Sequence, residues 1–265
     1  MKPDSWARAI WDKAVPAWNT RVQDRTFREF VARPAIADAV AQLAPVRDSV
    51  FADIGCGEGL ETALAKGILE EYGWTGVMYA YDPQPSLITR ARQEYACADI
   101  VFSTGRYDEF LASLPRPADL TISQFALQDA PDAESLIENL ARTTRGAAIV
   151  TLVHPEFGEA MRPKGACRVN AALRGSWAWA AEYPIVEPEG RTFYVPYFQR
   201  SVDTYREMFK MHFSNVRIDG FRPSSESIAT CERERRSPFC NHPGNVYYPE
   251  IVQLDSCLRV IAEKR

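Results

Sequence analysis

Asp53, Gly55, Gly57 and Gly59 sit in one short stretch, Val50-Phe51-Ala52-Asp53-Ile54-Gly55-Cys56-Gly57-Glu58-Gly59, where an apolar run passes into a glycine-dense turn. Glycine lacks a Cβ, so the backbone can take positive φ and a ligand can approach amides that a side chain would cover. The segment that follows, Leu60 to Tyr72, is helix-forming, and the free amides at a helix start favour negative or electron-rich groups. The spacing separates this turn from two common nucleotide loops. A dinucleotide fingerprint G-x-G-x-x-G would need its third glycine at Leu60, and a phosphate-binding P-loop would need a Gly-Lys-Ser/Thr that is absent. A second chemical group closes the next apolar run, Tyr81-Asp82-Pro83. A carboxylate there can accept both hydroxyl hydrogens of a ribose.

These groups need elements that bring them to one edge. From residue 49 onward, apolar runs alternate with helical stretches, the signature of a parallel sheet covered on both faces. The runs are Ser49 to Ile54, Val77 to Tyr81, Ile100 to Ser103, Leu120 to Ser123 and Ala147 to Val153. Between them lie helical stretches at Leu60 to Tyr72, Ser86 to Tyr95, Asp108 to Leu114 and Ala133 to Thr144. In an open α/β sheet the ligand sits outside the carboxyl ends of the strands, so residues closing each strand are the candidates. Before the sheet, apolar residues from Trp11 to Leu43 recur at spacings of three and four. They predict helices, divided at Pro16 and Pro34. After the fifth strand, residues 155 to 200 carry five prolines and an aromatic group including Trp177, Trp179, Tyr197 and Phe198, which reads as an insertion. Val202 to Met211 is a further helix, and Val216 to Phe221 and Cys257 to Glu263 are the last strands. Cys231 to Asn245 reads as a mixed-charge surface loop.

Composition limits the function. The chain has 265 residues, 46% of them hydrophobic, and a net charge of -4. That balance argues against a general nucleic-acid binder, which concentrates Lys and Arg, and favours a small-molecule partner. No apolar run approaches membrane-spanning length. The opening residues have an early acid and no apolar core, so neither a secretory nor a transit signal is expected and the cytoplasm is the expected location. The six cysteines include no C-x-x-C pair and read as reduced thiols. Cys231, Cys240 and His242 fit no usual zinc spacing, so no metal is expected.

Four ordered segments carry a resemblance. Phe51 to Gly59, Tyr81 to Pro83, Ala118 to Phe125 and Thr143 to Val150 look like the successive motifs of class I S-adenosylmethionine (SAM) dependent methyltransferases, of the small-molecule type. The resemblance implies an α/β, Rossmann-like fold: a seven-stranded sheet with helices on both faces and its last strand inserted antiparallel. The implied layout has an N-terminal helical lid (1–46) and a SAM-binding domain (47–265) that includes a substrate lid at 155–200. It implies that Gly55, Cys56, Gly57 and Gly59 lie under the methionine part of SAM, with Asp53 ordering the loop and Asp82 with Pro83 at the ribose. Gln124 and Phe125 close strand four at the same site. Two positions depart from the family pattern. Arg106 follows strand three where an acid often takes the adenine amino group, so backbone groups, or stacking on Tyr107 or the Arg106 plane, are left to hold adenine. Leu127-Gln128-Asp129 stands where many members have paired histidines.

His154, closing strand five, is the first candidate for a substrate-facing acid or base, with Asp129, after strand four, as a second candidate that could face the sulfonium or the substrate. Gln128, Tyr197 and Arg200 are candidate substrate contacts, Arg200 for a carboxylate or phosphate. The expected activity is methyl transfer from SAM to a small-molecule acceptor, a specialised metabolite, through oxygen, nitrogen or carbon. The alternatives kept open are an enzyme of the same fold that catalyses cyclisation, elimination or hydrolysis, and a non-catalytic partner of another methyltransferase. A homodimer is also left open.

Overall fold

The computed structural model describes residues 2–21, 31–43, 48–95, 97–162, 167–173, 175, 177–186, 192–233 and 254–264; the side chains of 16–21, 161, 183–186 and 231–232 are outside this description. Strands β1 (Phe51–Ile54), β2 (Met78–Tyr81), β3 (Ile100–Ser103), β4 (Ala118–Gln124) and β5 (Thr144–Val153) are mutually parallel where they pair. Two further strands of this sheet, β9 (Asn215–Phe221) and β10 (Cys257–Glu263), complete the order β3-β2-β1-β4-β5-β10-β9. The C-terminal strand β10 is antiparallel to both neighbours, with Val260 opposite Val150 on one side and Ile218 on the other. The seven-stranded sheet and its inserted antiparallel strand are therefore present as expected.

Each central strand is buried on both faces, and the alternation of its side chains divides the core in two. On one face Ala52, Ile54, Val150, Leu152 and Val260 pack against Ile137 and Leu140 of α6 (Ala133–Thr143) and Tyr205 and Phe209 of α8 (Val202–Lys210). On the other, Phe51, Leu120, Ile122, Ile149 and Ile261 meet Ile36 and Val40 of α2 (Arg33–Leu43) and Leu69 of α3 (Leu60–Glu71). Local chemistry starts these helices. Asp132 caps α6 by accepting from the Ser135 N–H, and Ser201 caps α8 by accepting from the Thr204 N–H. Pro85 occupies the first turn of α4 (Pro85–Glu94), where no N–H is needed. The short α5 (Tyr107–Ser113) follows β3.

Two elements depart from the sequence reading. Helix α1 runs unbroken from Pro3 to Arg21, through Pro16. An interior proline costs one hydrogen bond, but Trp6, Ile10 and Ala14 on this helix are buried against other elements, which stabilises it. Phe27 and Phe30, also placed in the N-terminal helices, lie outside the described residues. The insertion after β5 has its own secondary structure: α7 (Pro155–Met161), then β6 (Arg168–Val169), β7 (Trp179–Val186) and β8 (Thr192–Gln199) in an antiparallel sheet of order β6-β7-β8. Helix α1 packs on this second sheet, with Trp6, Ala7 and Ile10 against Ala180 and Phe198, and the Trp6 and Phe198 rings edge to face at 5.6 Å. Helix α9 (Ser225–Arg233) was not foreseen. It takes in the start of the stretch read as a surface loop, and residues 234–245 of that stretch are outside the description.

Candidate functional site

The glycine turn leaves the C-terminal end of β1 under steric constraint. Gly55 has φ +81°, its N–H donates to the Tyr81 carbonyl at 2.7 Å, and a Cβ there would lie 2.4 Å from the Ala126 Cβ. Only glycine allows this close approach between the turn and the end of β4. Gly59 stands before α3 at φ +84°, with the Phe102 ring 2.8 Å from where its Cβ would be. Its role is thus packing of the helix on β3. Between them, the Gly57 N–H donates to Asp82 Oδ2 at 3.0 Å, tying the turn to the end of β2.

Asp82 is buried, and its Oδ1 accepts from the Gln84 N–H at 2.9 Å. Burial raises its pKa to about 6, against the lowering effect of these two backbone donors. Each carboxylate oxygen keeps an acceptor site beyond the bond it already makes. Asp53 is buried too. Its Oδ2 accepts from Thr62 Oγ1 at 2.6 Å, while Oδ1 has no partner. Desolvation raises its pKa to about 7, with the Glu61 and Asp82 charges adding to the effect. The Cys56 thiol is held well above its usual range by burial and the surrounding carboxylates.

These groups open onto one cavity of about 390 Å³. Its floor is the turn with Asp82, Pro83 and Gln84. One wall is Gln124 to Ala126 and Asp129 to Pro131, another is Tyr81 and Tyr107, and Ala7 and Trp11 of α1 reach its mouth. Among the described residues its lining carries the carboxyl groups of Asp53, Glu58, Glu61, Asp82 and Asp129 and no lysine, arginine or histidine. Such a lining favours a ligand with positive charge and disfavours phosphates and carboxylates. Gln124 is buried with neither amide atom hydrogen-bonded, and Phe125 beside it has φ +53°. An unpartnered buried amide next to a left-handed non-glycine residue is a common mark of a binding edge. The Tyr107 hydroxyl donates to the Asn139 carbonyl at 2.9 Å and its pKa is pushed up to about 12 by burial. What Tyr107 offers the cavity is therefore ring surface, packed edge to face on Tyr81 at 5.2 Å.

Of the residues singled out from sequence, Asp53, Gly55, Cys56, Gly57, Asp82, Pro83, Tyr107, Gln124, Phe125 and Asp129 meet at this cavity. Six do not line it. Gly59 is packing, and Arg106 is exposed ahead of α5. Gln128 Oε1 accepts from the Val153 N–H at 2.8 Å. His154 caps α7, its Nδ1 accepting from the Glu156 N–H at 3.3 Å, and burial lowers its pKa. Tyr197 donates to Gln199 Oε1, and Arg200 is fully buried against backbone carbonyls. Sequence reasoning did not assign Glu58, Glu61, Gln84, Leu136, Asn139 or Trp11 to the site. Glu58 lies inside the glycine turn and Glu61 in the next helical turn, a signal that could have been used; Leu136 and Asn139 reach the cavity only through the tertiary placement of α6.

This sheet order, with a glycine turn after β1 and an acid after β2, defines the class I SAM-dependent methyltransferase fold. Residues 52–151 match the family model described as "Methyltransferase domain", a class whose cofactor is SAM. Solved structures share the fold. An S-adenosylmethionine dependent methyltransferase from Mesorhizobium loti is 17% identical, with 87% of this chain and 98% of that chain covered and a TM-score of 0.55. An S-adenosylmethionine-dependent methyltransferase from Clostridium acetobutylicum is 11% identical over 97% and 98%, with a TM-score of 0.51. A chain of the Haloferax volcanii complex that contains the Trm112 methyltransferase activator is 15% identical over 97% and 96%, with a TM-score of 0.56. Among curated proteins no sequence matches. No helix among the described residues is long and apolar enough to cross a membrane, and no group of described residues could hold a metal ion.

Proposed function

We propose that this chain transfers the methyl group of SAM to a small-molecule acceptor, a specialised metabolite, in the cavity at the carboxyl edge of the main sheet. The observation that carries the reading is the tie between the Gly57 N–H and Asp82 in a cavity lined by carboxyl groups without a basic side chain. The groups present suit SAM. Asp82 would hold the ribose hydroxyls, the Gly55 to Gly57 turn would lie under the methionine part, and the unpaired Asp53 Oδ1 and Gln124 amide would meet its polar atoms. When bound, SAM supplies a methyl group on a positively charged sulfur, and that charge is lost on transfer. An acidic lining matches the charged form. The chain's main contribution would be alignment at near-attack distance, with Asp129 as the cavity-facing candidate for a base.

Helix α1 and the second sheet would roof the site, since Trp11 lines the cavity and α1 is packed on β8. Helix α2 is core of the main domain, so the roof would be α1 and not the whole N-terminal segment. A cavity of this size with an acidic lining suits a neutral or cationic small acceptor better than a nucleic acid or an acid. The unlinked Cys56, Cys97, Cys167 and Cys257 fit a reducing compartment such as the cytoplasm. The test is mass-spectrometric detection of S-adenosylhomocysteine and methylated product across a panel of amines, phenols and carboxylic acids. Turnover confined to neutral or cationic acceptors supports the reading. A product formed without consumption of SAM would replace it with another chemistry in the same pocket.

A further inference from the structure

Arg200 follows β8 and is one of the largest fully buried side chains of the protein. Its Nη2 donates to the Ala130 and Pro131 carbonyls, both at 2.9 Å, and its Nη1 to the Phe198 carbonyl at 3.3 Å. The guanidinium lies 5.7 and 5.8 Å from the Trp177 and Phe198 ring centres. Its Nε is buried without a partner, and the buried Tyr205 hydroxyl lies within hydrogen-bonding reach of the guanidinium. Burying a guanidinium is costly unless hydrogen bonds satisfy it, so the carbonyls it reaches are part of what keeps it there. The two carbonyls it holds belong to residues that line the cavity, in the same wall as Phe125 and Asp129. Arg200 itself lies outside the cavity lining, at the end of the second sheet.

We propose that Arg200 is a positioning residue: it clamps the 125–131 wall from behind, so that the inserted sheet sets the shape of the cofactor cavity. A planar fork can serve adjacent carbonyls at once, whereas a lysine ammonium is a single point on a flexible stem. The rings of Trp177 and Phe198 hold the fork in place, which joins the clamp to the surface on which α1 rests. The inference rests on SAM being the cofactor only for its second readout.

The experiment compares wild type with Arg200→Lys and Arg200→Met by hydrogen exchange of the ligand-free proteins and by calorimetric titration of SAM, with Arg200→Ala added for chemical rescue. The expected result is exchange of the 126–130 and 132 amides about tenfold faster in both variants, with β1 and β5 as protected as in wild type, and SAM binding weakened about tenfold, because the loosened wall must be ordered when SAM binds. Added guanidinium ion at millimolar levels should restore part of the SAM affinity of Arg200→Ala, a rescue that a general loss of packing would not show. Wild-type exchange at the 126–130 and 132 amides in a folded Arg200→Lys protein would overturn the clamp. So would fast exchange there with unaltered SAM affinity, because the wall would then not shape the site. If Arg200→Met does not fold, Arg200→Lys still decides. If wild type itself does not bind SAM, the proposed function fails, and the exchange data alone judge the clamp.

Discussion

Asp82→Asn separates what this residue does for ligand binding from what it does for the fold. In the free protein the carboxyl is buried and its pKa is raised from an ordinary 3.8 to about 6. That difference corresponds to about 3 kcal/mol in favour of the neutral form, which the ionised group forgoes at neutral pH. Asparagine removes the buried charge and keeps one acceptor for either the Gly57 or the Gln84 N–H. The lost bond costs about 1 to 3 kcal/mol. The two effects nearly cancel, so the variant should match or exceed wild-type stability at pH 7. Because the folded pKa lies above the unfolded one, the stabilisation from the protonated group is fully present below about 4 and lost as pH rises through about 6. This part of the pH dependence should vanish in Asp82→Asn. Binding should move the other way: a charged acceptor for the ribose is replaced by a neutral, half-suited one, weakening SAM about tenfold to a hundredfold. Urea titrations at pH 4.5 and 7 with calorimetry at pH 7 check both halves. A variant that loses several kcal/mol of stability while binding SAM as well as wild type would refute the reasoning and make Asp82 a structural cap.

Further outcomes follow from the same geometry. Gly59→Ala meets the Phe102 ring at 2.8 Å and a left-handed φ together and should cost about 2 to 4 kcal/mol by thermal melting. Gly57→Ala has open space, so in free protein it should cost only about 1 kcal/mol from its φ, with any larger effect confined to SAM binding. SAM should bind more tightly than the uncharged-sulfur product S-adenosylhomocysteine, and its affinity should rise as pH passes through the region of about 6 to 7 where Asp82 and Asp53 ionise; equal affinities at all pH values in a calorimetric series would remove the electrostatic account. His154→Asn keeps an acceptor for the Glu156 N–H and should leave SAM affinity within about twofold of wild type, as expected for a residue outside the cavity lining.

The main sheet was legible because its signals are local. β1 to β5 are apolar runs bounded by turn residues, and the glycine spacing after β1 records a backbone requirement that only glycine satisfies. The second sheet was hidden by its prolines. Pro184 and Pro196 read as breakers, yet β8 is an edge strand and β6 pairs β7 only at Ala181 and Glu182, so neither proline is asked for a ladder bond on both sides. Strand position also proved easier to read than side-chain direction. Gln128, His154 and Arg200 all lie near the expected edge of the sheet, but their polar atoms hold the backbone of Val153, Glu156, Ala130 and Pro131. Residue type and spacing cannot distinguish a group that faces a ligand from one that braces the wall behind it. The acidity of the cavity escaped for a related reason: Glu58, Glu61 and Asp129 come from the turn, α3 and the stretch after β4, and only the fold sums them.

The most direct test of the account is calorimetric titration of SAM and S-adenosylhomocysteine into the wild-type protein, with NAD as control. Saturable binding of both sulfur compounds, SAM the tighter, with no heat from NAD, is the predicted result. No binding of either, or binding of NAD at the same site, would contradict the assignment of this cavity.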